Sequence, residues 1–74
     1  MTDAINVFVV LQGTEYEAME IQQVYSSLAS ARKWVMCRLT YGRPVEGKTW
    51  EEIRPNEWKR GFERYVIEEH PVMN

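Results

Sequence analysis

The sequence predicts an α+β domain: a small antiparallel sheet of strand order 2-1-3, with one main helix on one face. Three stretches carry that expectation. INVFVVLQG at 5–13 is a continuous run of strand-forming residues, SSLASARKWVMCRLTYG at 26–42 repeats its apolar residues at helical spacing, and ERYVIEEHPV at 63–72 is a second strand-forming run. A 74-residue chain makes a single domain, 1–74, near the lower size at which a hydrophobic core sustains itself. Its 45% apolar content argues for a folded rather than a disordered chain.

The first strand covers residues 5–12, with Val7, Val9 and Leu11 on one face and Phe8 and Val10 on the other. GTEYE at 13–17 reads as a turn, with Gly13 free to take a positive φ. A second strand, AMEIQQVY at 18–25, alternates imperfectly: Ile21 and Val24 share a face only if a bulge shifts the register. Its glutamines and Glu20 suit an edge position.

The helix is capped by Ser26 or Ser27 and carries one stripe of Leu28, Ala31, Val35 and Leu39, with Trp34 on its flank. Gly42 and Pro44 end it. Residues 43–62 read as an irregular Trp-rich segment before the last strand. Thr49 and Glu52 match a capping box, which predicts a helical turn over Trp50–Arg54, and Pro55 begins a second short turn through Trp58 and Lys59. The closing strand places Tyr65 and Ile67 on one face and Val66 on the other. A helix hides one face of a sheet, and the expected one bears Val7, Val9 and Leu11. The Phe8 and Val10 face then needs a cover, either the Trp50–Ile53–Trp58 segment or another chain.

Charge divides the chain in three. The first 31 residues carry −4 through Asp3, Glu15, Glu17 and Glu20; residues 32–64 hold all nine cations and carry +4; the tail carries −2. Such a bipolar chain suits docking on a charged macromolecule. The MTDAI terminus lacks the basic region of a secretory signal, and no apolar run approaches the ~20 residues of a membrane span. One cysteine, Cys37, allows no internal disulfide and fits a reducing cytoplasm.

Enzyme chemistry is not expected. Cys37 reads as a packing residue within the helix and His70 stands alone near the terminus, so the two make neither a nucleophile–base pair nor a metal site. Glu68 and Glu69 are strand neighbours that point to opposite faces. KTWEEIRPNEWKRGFER interleaves aromatics with cations as single-strand binders do, but Glu51, Glu52, Glu57 and Glu63 are woven into it and oppose independent nucleic-acid binding. The same segment supplies the candidate partner-binding residues Trp58, Arg54, Lys59, Arg60 and Trp50, because tryptophan and arginine dominate binding hot spots. Trp58 is the expected interfacial tryptophan and Trp50, beside Ile53, the expected core one.

VYSSLASARKWV and the closing YVIEEHPV, after a VFVV…GTEYEA hairpin, are similar to a class of small bacteriophage-encoded proteins. These share a hairpin, a serine-capped helix with an alanine and an aromatic, and a last strand reading aromatic-x-Ile-Glu-Glu. The resemblance covers most of the chain outside 43–62. It implies a non-enzymatic effector that binds a host protein complex, RNA polymerase favoured; with the residue reading, the expectation is a cytoplasmic protein without cofactor or metal, a monomer or weak homodimer. An inhibitor of an anti-phage defence complex and a structural or assembly protein stand as alternatives. The Trp-rich insert departs from the shared pattern, and no functional residue is carried across.

Overall fold

The computed structural model describes residues 5–72, which form β1 (Ile5–Thr14), β2 (Glu20–Tyr25), α1 (Leu28–Tyr41), β3 (Glu51–Arg54), β4 (Glu57–Arg60) and β5 (Glu63–Val72). The strands make one antiparallel sheet of order β2-β1-β5-β4-β3. The α+β class and the β2-β1-β5 half match the expected 2-1-3 arrangement. The other half corrects it: residues 51–60 form a β-hairpin that extends the sheet, not an irregular segment with two helical turns. Pro55 and Asn56 make its turn, with Asn56 at φ 66, the left-handed position that asparagine tolerates after a proline. Asp3 and the rest of residues 1–4 lie outside the described residues.

Alternation on β4 explains why strand wins over helix here. Trp58 pairs with Tyr65 and both point to one face, while Lys59 pairs with Arg64 on the other. That places the tryptophan in the core and the charges outside it, which a helical turn on the sheet edge would not achieve. Gly61, at φ 59, opens the two-residue turn into β5.

The helix begins where Ser27 Oγ accepts the amide N–H of Ser30 at 3.2 Å, and ends where the Gly42 N–H donates to the Arg38 carbonyl at 2.8 Å. Its stripe is the predicted one: Ala31 and Val35 are buried, with Leu28, Leu39 and Trp34 packed against the core beside them. The sheet contributes Val10, Trp58, Tyr65 and Ile67. The helix therefore covers the face bearing Phe8 and Val10, and the expectation that it covers Val7, Val9 and Leu11 is reversed. Trp50 and Trp58 lie on this same side. Cross-strand pairing puts Val7, Val9 and Leu11 with Val24, Ile21 and Val66 on the opposite face. No helix or strand among the described residues lies over them.

The bulge in β2 is real. The pairing steps from Val10↔Gln23 to Leu11↔Ile21, so Gln22 is the extra residue and Ile21 joins Val24 on the open face. Gly13 serves a different purpose from the expected positive φ: a Cβ there would meet Met19 Sδ at 2.6 Å, so the missing side chain admits Met19. No helix of the described residues is long and apolar enough to cross a membrane.

Candidate functional site

Sheet alternation separates the five predicted partner-binding residues. Trp58 is 2% exposed, its ring packed in the core with the Arg32 guanidinium 5.2 Å from its centroid. Trp50 is the half-buried tryptophan, with Tyr65 at 5.2 Å and the Arg60 guanidinium at 4.7 Å. The expected exposures are thus exchanged, because Trp58 sits inside a strand facing the helix and Trp50 precedes β3 at the sheet margin. Ile53, expected beside Trp50 in the core, falls at the register shift of β3 and is exposed.

The cations of this segment are engaged within the chain. Arg54 pairs with Glu57 at 3.7 Å, Arg64 bonds the same carboxylate, and Lys59 pairs with Glu15 of the β1–β2 turn. Arg60, whose side chain is largely buried, bonds Glu63 at 2.8 Å and the Arg43 carbonyl at 3.0 Å. Arg32 joins helix to hairpin through Glu52 at 3.0 and 3.3 Å and Asn56 Oδ1 at 2.7 Å. Its hydrogen bonds hold the Glu52 carboxyl below its ordinary range, with the Asn56 N–H adding to the effect. These pairs tie the hairpin to its neighbours, while the Arg54 side chain remains 75% exposed.

The cations without an ion pair among the described residues are Lys33, Arg38, Arg43 and Lys48. All lie on α1 or the connector after it. Between residues 21 and 50 the only acid is Glu46, and α1 itself carries none. Helical spacing lines Trp34, Arg38 and Tyr41 along one side of α1. The Arg38 guanidinium rests 4.7 Å from the Trp34 ring centroid, and Tyr41 is 85% exposed. Together with Cys37 and Gly42 they line a shallow depression of about 230 Å³. On the other side of Trp34, an apolar groove of about 370 Å³ runs toward Tyr25, Ser30 and Lys33.

Beneath this stripe Tyr65 is buried edge-on to Trp34, at 6.2 Å between ring centroids. Burial pushes its phenol up, with Arg38 and Arg60 pulling the other way. Cys37, read from the sequence as a packing residue, is exposed at the rim. The Trp34–Arg38–Tyr41 stripe was legible as an i, i+4, i+7 spacing, but the apolar stripe on the adjoining face masked it. Comparison with protein families, curated proteins and solved structures found no match.

Proposed function

We propose that the chain is a small phage-type effector that binds a protein machine in the host cytoplasm and modulates it by steric occupation, without catalysis. Host RNA polymerase is the favoured target. The observation that supports this reading is the Trp34–Arg38–Tyr41 stripe, an aromatic and guanidinium surface on a helix free of carboxylates. Aromatic residues and arginine are enriched in binding hot spots, and a local patch of positive charge steers encounter toward an acidic groove even on a chain whose net charge is −2. A rigid helix–sheet unit that docks in this way excludes whatever else uses that groove.

The test uses the purified chain with purified bacterial RNA polymerase, read by native mass spectrometry and single-round transcription. A stoichiometric complex with altered transcription, lost in Arg38→Glu, is the expected result. No complex at about 10 µM of each component sinks the polymerase assignment. The alternative, inhibition of a defence nuclease through nucleic-acid imitation by the acidic hairpin, rests on fewer groups. Glu17 and Glu20 line a depression with Glu63, but Glu63 and Glu15 are already paired to Arg60 and Lys59.

A further inference from the structure

The sheet face turned away from α1 has a self-complementary layout. Its rows follow from the strand pairing: Val7 with His70; Val24, Val9 and Glu68; Ile21, Leu11, Val66, Glu57 and Arg54; then Arg64, Lys59 and Glu51. Met19 adds its thioether over Gly13 at the end of this apolar tract. Ile21 and Val24 are 65% and 53% exposed, so the tract runs into solvent at the β2 edge. A contiguous apolar tract of this kind, rimmed by charge, marks an interaction surface.

We propose that a second copy of this chain covers the face, forming a two-fold sheet-on-sheet dimer with both α1 helices outward. Charge placement favours self-association. A surface that meets itself must not carry a large net charge, and here Glu57 holds Arg54 and Arg64 while Glu15 holds Lys59. An axis running across the strands through Leu11 and Val66 lays the two copies of β5 antiparallel. It sets Glu68 over Arg64 of the second copy and Val9 against the Met19 that covers Gly13, and brings the two Glu57 side chains together on the axis, each neutralised by its own Arg54 and Arg64. The helix side offers no such match, because pairing it with itself doubles a positive field.

The sheet edges are poor alternatives. β2 is bulged at Gln22 and begins with Glu20, and β3 is four residues long with Glu51, Glu52 and Arg54, which are the features that discourage edge pairing. The face measures roughly 500 Å² in plan from the strand spacing and rise, the same order as the about 800 Å² that each partner of a standard interface buries. The proposal goes beyond the effector reading and stands without it, since it leaves the helix surface free.

Sedimentation equilibrium of the full chain from about 1 µM to about 1 mM tests it. The expected result is a monomer–dimer equilibrium, with the dissociation constant raised at least ~30-fold in the Ile21→Lys, Val24→Lys double variant and its thermal unfolding unchanged. Glu68→Arg, a solvent-exposed change, is expected to raise the constant about tenfold by facing arginine with arginine. A chain that stays monomeric to ~1 mM overturns the proposal and leaves the face to a different protein. A dimer indifferent to the double lysine variant also overturns it, and one indifferent to Glu68→Arg overturns the stated register.

Discussion

At the scale of single residues, burial assigns the tryptophans their work. Trp58 is enclosed between α1 and the sheet, so Trp58→Ala removes a whole aromatic from a core of few buried side chains. Such a truncation costs about 3–5 kcal/mol, comparable to all the stability that so small a core supplies. The variant is expected to be unfolded by circular dichroism at 25 °C. Trp50→Ala, at the half-exposed margin, is expected to keep a cooperative transition with a lowered midpoint. Tyr65 adds a pH signature. Its folded-state pKa is raised by burial, so the unfolded chain loses the phenolic proton first as pH rises. The stability Tyr65 contributes is therefore complete below the ordinary tyrosine pKa of about 10 and falls above it. Tyr65→Phe should flatten the alkaline limb of a plot of unfolding midpoint against pH; an unchanged limb would show that another group governs it.

At the scale of elements, the weak joint is the β3–β4 hairpin. α1 lies over β1, β2 and β5, and reaches the hairpin through side chains: Trp58 packs in the core with Ala31 and Val35, and Arg32 is hydrogen-bonded to Glu52 and Asn56. Arg32→Ala should leave global unfolding nearly unchanged but speed amide exchange across residues 51–60, measured by native-state hydrogen exchange. Because Glu52 has a depressed pKa in the folded chain, its contribution is present above the ordinary carboxylate range and lost as pH falls through the folded value. Hairpin protection should drop on the acid side in the wild type and lose that dependence in Glu52→Gln. Those same residues explain which elements were legible in the sequence. β5 announces itself as a run of strand-forming residues and the α1 stripe through helical spacing, and their extents agree with the sequence reading. The hairpin did not, because Thr49 and Glu52 imitate a capping box while Glu52 in fact bonds Arg32, 20 positions away. Only the turn pair Pro55–Asn56 signalled it. The helix-covered face was misassigned for a similar reason: Val7, Val9 and Leu11 look as core-like as Phe8 and Val10, and the partners that decide, Trp58 and Tyr65, arrive from distant strands.

At the scale of the whole molecule, pairing changes what the charge sequence means. Counted along the chain, residues 32–64 carry +4, and the basic segment around Arg54, Lys59 and Arg60 looks like the steering surface. In the fold those three side chains contact Glu57, Glu15 and Glu63, and the cations left without an ion pair among the described residues are Lys33, Arg38, Arg43 and Lys48. Two triple variants separate these sources. Lys33→Glu, Arg38→Glu and Lys48→Glu together should slow association with an acidic target about tenfold or more at low salt. Exposed charges steer encounter strongly while contributing little to stability, so the unfolding midpoint should hardly move. Arg54→Glu, Lys59→Glu and Arg60→Glu together should do the reverse, setting carboxylates against Glu57, Glu15 and Glu63 and lowering the midpoint. Their effect on the association rate should be the smaller of the two. Stopped-flow binding to RNA polymerase at several salt concentrations, beside thermal unfolding of each variant, reads both quantities. If the second triple slows binding more than the first while remaining folded, the partner is met through the β3–β4 hairpin and the helix stripe is an ordinary solvated face.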